Sequence, residues 1–72
     1  SSVEETRYFL NNFLDENICM RISIKDRQNS LTILDVYRTG CSYPEFSSVA
    51  RRVLFVDDTL YLVEARAWNK AG

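Results

Sequence analysis

The order of apolar and polar residues predicts a helix at the start of the chain. Apolar side chains recur there at the spacing that places them on one side of a helix. These positions are Val3, Phe9, Leu10, Phe13 and Leu14. Glu4 and Glu5 suit the positive N-terminal end of a helix dipole. We therefore predict a helix over residues 3–16.

The pattern then changes to alternation, which is the period of β-strands. In the segment ICMRISIK, isoleucine and methionine alternate with smaller or polar residues, as expected for a strand with one buried face. A polar turn, DRQNS, separates it from a second apolar segment, LTILDVYR. Residues 39–50 contain Gly40 and Pro44, and proline restricts any strand there to a short or edge element. The predicted strands cover residues 18–25, 31–38, 52–57 and 59–66.

These elements predict a fold of the α+β class, in which an N-terminal helix precedes a small, strongly bent antiparallel sheet or barrel of four to five strands. Antiparallel pairing is expected because no connection is long enough for a parallel crossover. The 72 residues form a single domain, 1–72. A chain of this length buries only roughly 60% of its unfolded surface, so covering both faces of a sheet is difficult.

The two predicted C-terminal strands form a hairpin that is apolar on both faces. A strand with one face in water needs apolar residues only at alternate positions, yet here they run consecutively. The residues are Val53, Leu54, Phe55, Val56, Leu60, Tyr61, Leu62 and Val63. Either this chain covers both faces itself, or the strand edge pairs with another chain. We favour pairing, and predict these eight residues as a protein interface.

The residues that usually perform catalysis are scarce. The chain has no histidine, and its only glycines are Gly40 and Gly72, so it lacks the commonest general base and any glycine-rich phosphate loop. Asp57 and Asp58 are expected to be turn residues. Two cysteines alone do not complete a structural zinc site. We predict no enzyme activity, no catalytic residue, no cofactor, no metal and no small-molecule substrate.

Charge gives little indication of a nucleic-acid or membrane partner. Ten acidic residues offset nine basic ones, for a net charge of -1. A solvated strand face is favoured over a nucleic-acid surface because the basic residues form no purely basic stretch. The residues weighed for such a surface are Arg21, Lys25, Arg27, Arg51, Arg52, Tyr8, Tyr37 and Tyr43. No membrane contact is predicted, since no apolar run approaches the roughly 20 residues of a spanning helix.

Two cysteines and one tryptophan leave alternatives open. Cys19 lies in a predicted strand and Cys41 in a predicted loop. Two reduced thiols in a cytoplasmic and/or nuclear protein are favoured over a disulfide, because small disulfide-stabilised domains usually contain four or more cysteines. Trp68 follows the last predicted strand. It either packs over the end of a barrel or anchors an interface, where tryptophan is enriched.

The order of elements resembles the Sm-like fold. The segment LFVDDTL is similar to the second signature motif of that family, with Val56 at the arginine position and Asp57 at the glycine position. The glycine of the first motif and its Met-Asn pair are missing as well. The segment RYFLNNFLDENICMRISI resembles the helix end and first strand of the Gemin-type subunits of the survival-of-motor-neuron complex, which lack the RNA-binding residues of Sm proteins.

The resemblance implies a non-catalytic scaffold subunit that pairs edge to edge with another Sm-like chain, as a heterodimer or homodimer. It would help to assemble Sm rings on small nuclear RNA and would contact RNA only indirectly. The alternative is a small barrel that binds single-stranded nucleic acid, with an oligonucleotide-binding or Tudor/nuclease-like fold. A toxin-like nuclease is a third interpretation, which the lack of histidine disfavours.

Overall fold

The computed structural model describes residues 1–70 of the chain. One helix precedes the sheet in that part: α1 spans Ser2–Phe13, β1 Ile18–Asp26, β2 Leu31–Tyr37, β3 Ser48–Val56 and β4 Thr59–Asn69. The strands are antiparallel neighbours in the order β2-β1-β4-β3. The predicted α+β fold with a small antiparallel sheet is confirmed. Of the two forms predicted, the open sheet is found, with β2 and β3 at its edges within the described residues.

Helix α1 is shorter than predicted at its C-terminal end. Its first turn is capped by Ser1, whose Oγ accepts a hydrogen bond from the Glu4 amide at 3.3 Å. The helix ends at Phe13, three residues before the predicted end at position 16, and Leu14 already has an extended backbone. Asp15 explains this, because its carboxylate accepts the Asn17 amide at 2.9 Å and its carbonyl accepts the Ile18 amide at 3.0 Å. Such local bonds compete with the helix and turn the chain into β1.

The hydrophobic core lies between α1 and the β1-β2 half of the sheet. Leu10, Leu34 and Val36 are buried there. Partly buried side chains pack around them from the helix end and from β1: Leu14, Met20, Ile22 and Ile24. The apolar residues predicted for one side of the helix therefore have two different environments. Leu10 and Leu14 face this core, whereas Phe9 and Phe13 are exposed and have ring centroids 5.5 Å apart.

Strands β3 and β4 are longer than the predicted ranges of 52–57 and 59–66. Strand β3 begins four residues earlier, and β4 continues to Asn69. The reason is that β4 lies between β1 and β3 and forms ladder pairs on both sides, as in Cys19↔Trp68 and Ser48↔Ala67. Trp68 is consequently buried inside β4 rather than placed beyond the last strand.

The connection between β2 and β3 is attached to β1 by a disulfide. Cys41 in this connection is bonded to Cys19 of β1, with Cα atoms 5.9 Å apart. The expectation of two reduced thiols is therefore wrong. Spacing along the chain could not show this, because the two cysteines are 22 positions apart and the whole of β2 and its turn lies between them. Arg38, at the start of the same connection, donates to the carbonyl oxygens of Asp15 and Ile18 at 2.5 and 2.8 Å.

Candidate protein interface

The two faces of the sheet are covered by different parts of the chain. The face that carries Leu34, Val36 and Ile22 lies under α1, and we call it the helix face. The opposite face carries Cys19, to which the β2-β3 connection is bonded, and we call it the loop face. Strand register extends each face into the β3-β4 hairpin. Leu54, Val56, Tyr61 and Val63 lie on the helix face, and Val53, Phe55, Leu60 and Leu62 lie on the loop face.

Neither cover extends along the hairpin to its tip. Helix α1 packs against β2, at the opposite edge of the sheet from β3. On the loop face, the β2-β3 connection contacts the far end of β4, where the rings of Tyr43 and Trp68 are 6.0 Å apart and Arg66 bonds to Ser47 at 3.3 Å. The tip of the β3-β4 hairpin is therefore the least covered part of the sheet.

A two-residue turn fixes the register of this hairpin. Asp57 and Asp58 have φ values of 48° and 62°, and Val56 pairs with Thr59 across them. Left-handed backbone at both central positions is typical of the turns whose twist matches a hairpin, and aspartate tolerates that conformation better than most residues. The structure thus agrees with the turn predicted for these two aspartates, and the turn places large apolar side chains opposite each other.

All eight predicted interface residues come together in this hairpin. Opposite pairs include Val53↔Leu62 and Phe55↔Leu60. No residue of β3 is buried, and the side chains of Val53 and Phe55 are exposed to 64% and 66%. The four residues from β4 are partly buried. That another protein covers this surface stays a prediction.

Strand β3 also presents backbone groups at its outer edge. The Leu60 carbonyl accepts the Arg27 amide at 2.9 Å, so the even-numbered residues of β4 bond towards β1. In an antiparallel sheet, successive residues of a central strand direct their backbone hydrogen bonds alternately to its two neighbours. The odd-numbered residues of β4 therefore bond to β3. By the β3-β4 register, the residues of β3 that direct their amides and carbonyls away from the sheet are Val49, Arg51, Val53 and Phe55. The Arg51 carbonyl instead accepts a bond from the Arg52 side chain at 2.8 Å.

A band of ion pairs crosses the loop face. Arg21 bonds both carboxylate oxygens of Asp35 at 2.6 Å, which lowers the pKa of Asp35 and raises that of Arg21 further above its usual value. Glu64 accepts from Arg51 and from Arg66, each at 2.8 Å. Those two bonds lower the pKa of Glu64.

This band changes the interpretation of the basic residues considered for nucleic-acid binding. Arg21 and Arg51 are paired with carboxylates and do not form a free basic surface. Tyr43 lies with its ring 5.4 Å from the Arg21 guanidinium. Sequence reasoning missed the band, because its members come from four strands. The signal available was the alternation of charged residues in β1 and β4, which does not reveal which strands are neighbours.

A surface depression lies beside the β1-β2 turn. Its volume is about 350 Å³, and Lys25, Arg27 and Ser30 are among the residues that line it. Among residues 1–70, no group of three or more histidine, cysteine, aspartate or glutamate side chains is placed to hold a metal ion. Within the same residues, α1 is too short and too polar to cross a membrane.

Comparison with protein-family models, with curated proteins and with solved structures gives no match to this chain.

Proposed function

We propose that the chain is a non-catalytic protein-interaction module that binds another protein chain by strand addition at β3. One observation carries the proposal: β3 is a nine-residue edge strand with no buried residue and large apolar side chains on both faces. Strand addition would satisfy the outward amides and carbonyls and cover side chains on both faces at once.

Burial energetics support a partner. Fully burying a valine, leucine or phenylalanine contributes roughly 1.5–3 kcal/mol, and Val53, Leu54 and Phe55 obtain only part of that within this chain. Proteins usually protect such an edge by proline, by a bulge or by charge. Strand β3 has no proline, and its pairing with β4 has no register shift. Of its two charges, Arg51 is paired with Glu64.

The disulfide provides information about the cellular compartment in which such a module would work. Disulfides persist in oxidising compartments and are rare in the cytosol and nucleus. We therefore propose an oxidising compartment in place of the predicted cytoplasmic and/or nuclear location, on the strength of the Cys19–Cys41 bond. Thiol alkylation of the native protein without reductant checks this: no labelled cysteine is expected, and two labelled cysteines would contradict it.

The narrower prediction of an Sm-like subunit that helps to assemble Sm rings on small nuclear RNA stays a prediction. The position of the hairpin in the last two strands favours it, while the Cys19–Cys41 disulfide weighs against a cytosolic or nuclear role. The proposal therefore includes the strand edge and the class of partner, which is another protein chain. Pairing of Arg21 and Arg51 with carboxylates disfavours the nucleic-acid alternative.

Photo-crosslinking from the hairpin tests the proposal. A photoreactive phenylalanine analogue at Phe55, introduced into the chain and exposed to native extract, is expected to crosslink to a defined protein. The same analogue at Phe46, which is 81% exposed but lies outside the strands, is the matched control for exposure. Combination with Val53→Pro should abolish the Phe55 product, because proline removes an outward amide without removing a bond to β4.

Two results would overturn the proposal. One is that Phe55 gives no product beyond those obtained from Phe46. The other is that the Phe55 product persists in the Val53→Pro background while circular dichroism shows an intact fold, since the attachment would then not use the backbone edge of β3.

A further inference from the structure

We infer that the chain that adds to β3 is a second copy of this protein. The two β3 strands pair antiparallel around a two-fold axis at Leu54, and the two sheets join into one. This inference rests on the proposed function, because it names the partner of the same strand edge.

Backbone geometry allows this pairing. In an antiparallel ladder, two outward-facing residues exchange both hydrogen bonds, and the intervening pair exchanges none. With the axis at Leu54, Val53 of one copy lies opposite Phe55 of the other. Both residues direct their backbone groups outward, as the β3-β4 register shows. Leu54 lies opposite Leu54 of the second copy as a close pair without hydrogen bonds.

The side chains match on both faces in this register. Val53 meets Phe55 on the loop face, and Leu54 meets its own copy on the helix face. Pairs of aromatic and β-branched residues across strands contribute roughly 0.2–1 kcal/mol each relative to alanine pairs. The three most central residues of the pair therefore lie directly opposite apolar side chains of the second copy.

Charge complementarity identifies a second copy as the occupant. The apolar run 53–56 is preceded by Arg51 and Arg52 and followed by the turn formed by Asp57 and Asp58. Antiparallel pairing around Leu54 brings the basic end of each copy beside the acidic turn of the other. The Arg52 guanidinium, which bonds the Arg51 carbonyl at 2.8 Å in the single chain, is then free to turn towards that acidic turn.

Neighbouring registers match less well. An axis at Phe55 keeps Arg52 opposite Asp58, but it places Val53 opposite Asp57, in the turn that ends the strand. An axis at Arg52 places Arg52 directly opposite Arg52 of the second copy, and like charges in opposite positions destabilise a sheet. An axis at Val53 places Arg51 opposite Phe55 and Arg52 opposite Leu54. The Leu54 register also closes on itself, since a two-fold contact uses the same surface on both copies and does not propagate.

Sedimentation and cysteine crosslinking of the purified full chain test the inference. We expect a species of twice the chain mass, reduced to the single-chain mass by Val53→Pro. Under mild oxidation, Leu54→Cys alone should give a covalent dimer on a non-reducing gel. Arg52→Cys alone, Val53→Cys alone and Phe55→Cys alone are matched controls that report the three other registers. Peptide mapping of each variant verifies that the Cys19–Cys41 bond is retained.

The outcomes separate this inference from the proposed function. In one outcome, the purified chain sediments only as a monomer, while Phe55 still crosslinks to a different protein in native extract and Val53→Pro abolishes that crosslink. This result overturns the inference that the partner is a second copy, but it leaves the proposed interaction module intact. Preferential dimer formation by Arg52→Cys, Val53→Cys or Phe55→Cys overturns the Leu54 register. Loss of both the dimer and the crosslink overturns both proposals.

Discussion

The two edges of the sheet differ in how the chain treats their apolar residues. Strand β2, seven residues long, buries Leu34 and Val36 under α1, and a register shift interrupts its pairing with β1. Strand β3, nine residues long, buries none of its side chains, and its pairing with β4 is regular. Both edges are rich in large apolar residues, so residue type does not distinguish them. The difference comes from where one short helix lies.

The part of the molecule that contains α1, β1 and β2 is also held together by polar contacts. Arg38 joins the end of β2 to the residues after α1, and Asn11 of α1 accepts the Thr39 amide at 3.0 Å. The β3-β4 tip has the turn at Asp57 and Asp58 and its own ladder. We therefore expect fold stability to depend mainly on the β1-β2 half and the proposed association to depend mainly on β3. Four changes test this division, in order of decreasing expected effect.

Leu10→Ala should lower the free energy of unfolding the most. Leu10 is fully buried in the core, and such leucine truncations cost roughly 2–5 kcal/mol through lost transfer energy and the cavity that remains. Leu54→Ala is the matched control on the helix face of β3, where the side chain is 48% exposed. Urea unfolding of both variants at a concentration where the chain is monomeric measures the difference. Equal losses would contradict the division.

Removal of the disulfide should have the next largest effect. The double variant Cys19→Ser with Cys41→Ser opens a closed loop spanning 22 positions, for which loop-closure entropy predicts a loss of about 3 kcal/mol. Thermal unfolding monitored by circular dichroism measures it. Because Cys19 lies in β1, away from β3, the loss is expected whether or not β3 is paired with another chain. An unchanged midpoint would show that the bond does not stabilise the fold.

Acid should destabilise the chain through three carboxyl groups. Hydrogen bonds from Asn29, Arg21 and Arg51 are the leading causes of the lowered pKa values of Asp26, Asp35 and Glu64, respectively. Because these values are lower in the folded chain, the unfolded chain takes up protons first. The stabilisation is therefore present above the ordinary values of 3.8 and 4.5 and is lost as pH falls through the lowered ones.

Denaturant titrations over a pH series measure this dependence. For exposed pairs such as Arg51 and Glu64 the contribution is below about 1 kcal/mol, so the total is expected to be smaller than that of the disulfide. Glu64→Gln should flatten the pH profile, and Glu4→Gln, at the start of α1, is the control. An identical slope in Glu64→Gln would remove Glu64 from the explanation.

Phe55→Asp should change the stability of the monomer least and association most. The Phe55 side chain is largely exposed, and surface substitutions of this kind usually change the free energy of unfolding by no more than about 0.5 kcal/mol. Sedimentation should show loss of the associated species, while urea unfolding of the monomer stays close to that of the parent chain. Loss of folding instead would show that the fold depends on Phe55, and it would contradict the division between the β1-β2 half and β3.

Much of the fold could be predicted from local pattern. Alternation in β1, the apolar segment LTILDVYR of β2 and the apolar runs of the hairpin predict the existence of the four strands, and the short connections require antiparallel neighbours. The ends of β3 and β4 could not be predicted, because Val49 and Trp68 are in strands only through their partners across the ladder. The Cys19–Cys41 bond was missed for the same reason. The number of cysteines shows only whether a disulfide-rich domain is expected. Whether the Cβ atoms of Cys19 and Cys41 come close enough to form a bond depends on the path of the β2-β3 connection.

The sequence by itself determined the helix, the strands, the two-residue turn and the doubly apolar hairpin, since each depends on residues that are neighbours along the chain. Only the tertiary structure decided the strand order β2-β1-β4-β3, the position of α1 over β2 and the closure of the disulfide. These depend on which distant surfaces bury each other best. That choice left β3, and not β2, as the edge with both faces open, and it is the physical basis for the interface proposed here.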